Sequence, residues 1–302
     1  MSALRQPDER AGPALERIVT RTFTHPVQPC DPDDRTYLLD RMKALYGDFT
    51  DVSWLTDGPM VSYHDMVRTI VAELGAELVG VDLAITVDAS PDCRHQSFPG
   101  PVLSHVLSGD PIMLGVSEQG VAGPFTALRI AHRYLRSGAA TRALILIMEQ
   151  STLPPDDAAV RPVRDVAVAL LLGPQGTIGL DVPTVAVTRS GVAAAMETDV
   201  DLLVAGTGLA DQADLGVPVR WAEPGHPCAG VWLALAELLD TRPGGGRVLV
   251  ADRDPVLPYR CAVTVTVPAQ RPEPPRQPAG TIAPPATRHL ATRPQKVREL
   301  VR

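Results

Sequence analysis

The chain has 302 residues, 45% hydrophobic and 21% charged, enough for one large domain or two fused halves around a substantial core. Its net charge of −7 is unevenly placed: from Pro268 onward seven bases stand against two acids, a tail of +5 on a body of −12. The acidic body argues against nucleic acid as a partner, and no apolar run approaches the roughly 18–20 residues that span a bilayer. Residues 1–16 are polar, without a signal-peptide hydrophobic region, and read as a flexible N-terminus of a cytoplasmic protein. A first strand is expected over Arg17–Phe23. A helix follows from Asp34 to Tyr46, with Asp33 or Asp34 near its N-cap and Gly47 after it. Met66, Ile70, Val71 and Leu74 place a second amphipathic helix over Val61–Leu78. Val81–Val87 reads as a strand, Val102–Leu107 as a short helix, and Ile112–Val116 as a buried central strand.

From here a unit is written twice. Gly120-Val121-Ala122-Gly123 opens an apolar-periodic helix, followed by Ser137-Gly138 and the strand Arg142–Ile147. Gly225-His226-Pro227-Cys228 opens a second, followed by Gly244-Gly245-Gly246 and the strand Arg247–Val250. In each copy the strand-opening Arg lies 22 positions after the first Gly, which suggests a duplicated α/β half-domain. The halves are set at 17–177 and 178–267. Val166–Leu172 closes the first, and strands near Thr184–Val187, Leu202–Ala205, Val248–Ala251 and Cys261–Val267 build the second. Strands alternating with helices predict parallel wiring. The Pro/Arg-rich segment 268–302 reads as a disordered tail with a short helix at Gln295–Val301. Cys30, Cys93, Cys228 and Cys261 have no metal-ligand spacing, so neither a zinc site nor a disulfide framework is expected. The glycines at 244–246 lack a P-loop or dinucleotide pattern.

Several short segments resemble β-ketoacyl-ACP synthase III enzymes. Ala122–Ala139 resembles the helix after the family's active-site cysteine, and Val87–Asp92 its strand-end loop. Arg164–Leu171 resembles its Gly-Asp-Gly-Ala-Gly-Ala strand, and Asp201–Gly206 the strand that delivers its histidine. Gly225–Ala229 sits where the family has Gly-Asn-x-x-Ala. The likeness covers residues 60–267. It implies a thiolase-like fold of duplicated βαβ halves in a five-layer αβαβα sandwich, normally a dimer. It also implies a cysteine acylated from acyl-CoA or acyl-ACP, helped by a histidine and an asparagine.

Without gaps, the resemblance puts Val121 at the cysteine position, Gly206 at the histidine position and His226 at the asparagine position. Ala251–Pro255 stands where the family has a Gly-rich segment. Val121 has no nucleophilic atom and Gly206 no side chain, so the usual decarboxylative condensation is not expected of this chain alone. Ser117 could act as a displaced nucleophile with His226 as its base, or be a strand-end hydroxyl. Cys228, in a first helical turn where the dipole lowers a thiol pKa, could be a nucleophile or a small buried apolar group. His226 could be a general base or a backbone-satisfied helix-start residue. Glu118 and Glu149, near strand ends, could line a cavity. His105 and His132 read as structural.

Three functions remain open. One is a degenerate synthase III-like subunit of fatty-acid, polyketide or other secondary metabolism, paired as a homo- or heterodimer with a homologue and meeting an acyl carrier protein. Another is an unconventional acyltransferase or thioester hydrolase using Ser117 or Cys228 with His226. The third is a non-catalytic acyl-chain or metabolite-binding module. No resident cofactor or metal is expected, although an acyl-CoA or phosphopantetheine-linked substrate fits the resemblance. The basic tail could attract an acidic carrier.

Overall fold

The computed structural model describes residues 13–29, 31–94, 99–155, 160–187, 199–211, 216–241 and 244–269. The expectations for the tail and for most of the N-terminus lie outside these residues. In the first half, β1 (Ala14–Phe23) is followed by α1 (Pro32–Tyr46), α2 (Trp54–Asp57), α3 (Tyr63–Leu74) and β2 (Leu83–Asp88). Then come α4 (Pro99–Val106), β3 (Ile112–Ser117), α5 (Ala122–Ser137), β4 (Ala143–Glu149) and β5 (Asp165–Gly173). The second half holds β6 (Ile178–Leu180), β7 (Thr184–Val187), β8 (Leu202–Ala205), β9 (Val219–Trp221), α6 (Gly230–Thr241), β10 (Gly246–Arg253) and β11 (Tyr259–Val267).

The duplication is visible in the strand order. The first half runs β3-β2-β4-β5-β1 and the second β9-β8-β10-β11-β6, with β7 also on β11. In each half the three strands joined through helices are parallel, and the last hairpin, β4–β5 or β10–β11, is antiparallel. The parallel β-α-β wiring expected from the sequence is present, within a sheet that is mixed overall. Between β10 and β11 the connection is too short for a crossover and can only reverse the chain. The halves join edge to edge where Ala14 meets Gly179 and Leu15 meets Ile178.

The same device sets the register in both copies. The Arg142 N–H donates to Asp82 Oδ1 (3.0 Å), and the Arg247 N–H to Asp201 Oδ2 (2.7 Å). Each Asp lies one residue before the neighbouring parallel strand, so Leu83 pairs with Ala143 and Leu202 with Val248.

Helices α5 and α6 form the central layer. α5 touches β2, β3 and β4 of its own half and β7 and β11 of the other; α6 touches β8, β9 and β10 and crosses to β1. Phe125 and Trp232 meet between them with ring centroids 5.1 Å apart. On the outer face of the first sheet, Met66 and Ile70 of α3 pack with Leu144 and Leu146. Outside the second sheet, Leu209 of the 3-10 turn Thr207–Leu209 packs on Leu203, Leu249 and Ala251, and the described residues hold no α-helix there. α1 starts at Pro32, with Asp31 as N-cap accepting from Asp33 N–H at 3.0 Å. A proline that cannot donate suits this first-turn position. This wiring brings the N-termini of α5 and α6 together at the carboxyl ends of the parallel strands, where open α/β sheets bind ligands.

Candidate functional site

The turn between β3 and α5 is tight. Glu118 and Gly120 both have left-handed backbones, φ 57° and 52°. Glycine is required at 120, because a Cβ there would collide with the Asp254 carboxylate. Val121 begins the helix with its side chain buried in the central core. Its backbone N–H, the donor a nucleophile at this turn would leave for an oxyanion, instead donates to Asp254 Oδ2 (3.1 Å). Asp254 Oδ1 accepts the N–H groups of Val256 (2.9 Å) and Leu257 (2.7 Å), which fixes the carboxylate in place.

The start of α6 is closed in a similar way. Glu149, fully buried at the end of β4, accepts the N–H groups of Cys228 and Ala229 (2.9 Å to the latter) through Oε1. His226 Nδ1 donates to Glu149 Oε2 at 2.9 Å. A carboxylate at a helix N-terminus meets unpaired N–H groups and the positive end of the helix dipole.

Gly206 is not an empty place. A Cβ there would overlap the carboxylate of Asp252, which enters from the adjacent strand β10. Asp252 accepts from the N–H groups of Arg253 (2.7 Å) and Gly208. Burial, and the neighbouring Asp254, raise its pKa to about 7.

A cavity of about 410 Å³ opens over this region, with Gly120, Cys228 and Asp254 in its lining, together with Glu118 and Pro227. Of the residues singled out in the sequence, Cys228 and Glu118 reach the cavity. Ser117 is exposed at the end of β3 and does not line it. His226 is buried, does not line it either, and has no hydrogen bond to Ser117 among the described residues. Glu149 is a buried helix cap rather than a cavity wall.

The expected lowering of the Cys228 thiol pKa is overturned. Burial comes first, then Glu149, Asp254 and Asp252, and together they push it well above the ordinary thiol value. A first-turn dipole contributes about 1 kcal/mol at most in exposed settings, less than the cost of ionising a buried group. The S–H instead donates to Gly120 O at 3.0 Å. Cys228 is thus a protonated thiol that ties one helix start to the turn before the other.

Asp252 and Asp254 carry no role in the sequence reading. The duplication itself was the available signal, since 105 positions separate Gly120 from Gly225, Arg142 from Arg247, and Glu149 from Asp254. Among the described residues no cluster of three His, Cys, Asp or Glu side chains is placed to hold a metal ion, and no helix is long and apolar enough to cross a membrane.

No protein-family model matches the sequence, and no curated protein matches it. The fold is shared with solved structures. The chain is similar to β-ketoacyl-[acyl carrier protein] synthase III from Thermus thermophilus, with a TM-score of 0.57, 17% identity, and 85% of this chain and 100% of that one covered. It is also similar to ChlB3, described as an acyltransferase (TM-score 0.56, 15% identity, 85% and 98% covered), and to a variant of Xanthomonas campestris OleA (0.56, 14%, 85% and 98%). At these identities the likeness defines the fold, a thiolase-type α/β sandwich of the synthase III kind.

Proposed function

We propose that this chain is a synthase III-like subunit without an acylation centre of its own, which pairs with an active homologue working on acyl-CoA or acyl-carrier thioesters. The observation that carries this is the Asp254 carboxylate on the Val121 N–H. A negative charge fixed at the oxyanion donor opposes the charge that develops when a thioester is attacked, and Val121 offers no atom to attack it. The substrate class comes from the printed descriptions of the similar structures, an acyl-carrier-protein synthase and an acyltransferase.

Pairing draws support from β3. It is the end strand of the sheet rather than the buried central strand expected from its apolar run Ile112–Val116, and it is a template for a second strand. The basic segment from Arg271 to Arg302 would attract an acidic carrier. The test is co-expression with a synthase III homologue, followed by native mass measurement and assay of the homologue's products. A 1:1 complex that dissociates with Gly115→Lys is expected. Gly115 is exposed, and a Cβ there meets only Thr86 Oγ1 at 3.7 Å, so the variant should fold. A monomer that binds no homologue and alters no product spectrum rejects the reading.

Acyl transfer through Cys228 is the weaker reading. Its support is that the thiol borders the cavity, and against it stand the raised pKa and an S–H already committed to Gly120 O. Binding without turnover needs only the cavity, and the Asp254 plug does not close it.

A further inference from the structure

The chemistry of the cavity lining is unlike that of a thioester site. A bound acyl group needs N–H donors for its carbonyl oxygen. Here the N–H groups of Val121, Val256 and Leu257 donate to Asp254, and those of Cys228 and Ala229 to Glu149. The floor offers acceptors instead. Asp254 lines it, and a carboxylate has about four lone-pair positions, so a further donor can be added to the three it holds.

Glu118 stands beside it, and its carboxylate makes no hydrogen bond or ion pair among the described residues. Its left-handed φ of 57° is unfavourable for a residue with a side chain, yet this is what the turn before α5 holds in place. Arg161, also in the lining, is exposed and donates to Leu153 O at 3.1 Å. The rest of the wall is apolar. Leu45, Tyr46, Val160, Val256 and Leu257, all large and solvent-exposed, gather around this one cavity rather than scattering over the surface.

We propose that the cavity binds an apolar amine, with a protonated ammonium set against Glu118 and Asp254 and a hydrocarbon or aromatic body along the Leu45–Val160–Leu257 wall. This rests on the reading that the cavity is not an acylation site. It names the ligand chemistry favoured by a cavity in which two carboxylates, Glu118 and Asp254, stand against the single Arg161 cation: a cation-bearing ligand over a carboxylate.

The test is calorimetric titration of the full-length protein at pH 7.5 and low salt with hexylamine, octylamine, 1-octanol and octanoate, all below their aggregation limits. Octylamine should bind more tightly than octanol, and octanoate should bind weakest. Lengthening hexylamine to octylamine should tighten binding about fourfold per methylene. Glu118→Gln should weaken octylamine about fivefold and leave octanol unchanged, the scale of one partly exposed ion pair. No octylamine binding, octanoate binding at least as tight as octylamine, or an unaffected Glu118→Gln variant overturns the proposal. Intact mass after incubation with octanoyl-CoA separates the two failures. An acyl adduct removes the underlying reading, whereas absent amine binding with no adduct removes only this inference.

Discussion

Glu149 and Asp254 occupy equivalent positions of the duplicated segment, and each carboxylate crosses to cap the helix of the opposite half. Glu149, on β4 of the first half, holds the Cys228 and Ala229 N–H groups at the start of α6. Asp254, just after β10 of the second half, holds the Val121 N–H at the start of α5. The junction of α5 and α6 is thus an exchange of caps between the two halves. The Cys228–Gly120 bond adds a third tie across the same junction. This arrangement closes each helix start with a side chain of the opposite half.

Removing the Glu149 carboxylate leaves two buried N–H groups and the His226 Nδ1–H without an acceptor. Glu149→Ala is therefore predicted to lose about 3 kcal/mol of unfolding free energy. Glu149→Gln, which keeps one carbonyl oxygen for the two amides, should lose less. Urea titration followed by circular dichroism checks both; equal stability of Glu149→Ala and the parent would show that the cap contributes nothing.

Gly206 and Asp252 share one volume, so their substitutions should be coupled. Gly206→Ala pushes a methyl group into the Asp252 carboxylate and should cost about 2 kcal/mol. Asp252→Gly in the same chain should recover most of that loss. A double-mutant cycle measures the coupling. Additive effects would mean that the carboxylate does not fill the Gly206 site.

The pKa of Asp252 also predicts a pH dependence. Its ordinary value is 3.8, and burial raises it to about 7 in the folded protein. Between these values the native state holds a proton that the unfolded chain has released. The stabilisation from this group is fully present below about pH 4 and is lost as the pH rises through 7. Asp252→Asn removes the ionisation and keeps an acceptor oxygen. It should match the parent near pH 4 and exceed it by at least about 1 kcal/mol at pH 8. Unfolding at a series of pH values gives the comparison, and a constant difference across the range contradicts the assignment.

A thiol held protonated should be slow to alkylate. Native Cys228 is predicted to react with iodoacetamide at pH 8 at least about tenfold more slowly than in the urea-unfolded chain, read by peptide mass mapping. Rapid native labelling would restore Cys228 as a candidate nucleophile.

The sequence carried the fold better than the site. Equal spacing of Gly120–Arg142 and Gly225–Arg247 exposed the duplication because the Arg–Asp contacts that set register recur in both halves. The apolar pattern of α3 continued to Leu78, but Gly75 adopts φ 47° and the last turn tightens into a 3-10 helix. The strands β6 and β9, three residues each, are too short to carry a period of two. At the site, the resemblance located Val121, Gly206 and His226. It did not find their counterparts, because Asp252, Asp254 and Glu149 act across the junction between halves and no local pattern encodes a cross-half contact.

The closed junction of α5 and α6 is predicted not to be acylated. The most direct measurement is intact mass of the purified protein after incubation with a panel of acyl-CoA and acyl-carrier thioesters. The mass is predicted to stay unchanged with every donor, for the parent and for Ser117→Ala alike. A gain of one acyl group, mapped to Cys228 or Ser117 and lost on its replacement, would contradict it and make this chain an acyltransferase with a relocated nucleophile.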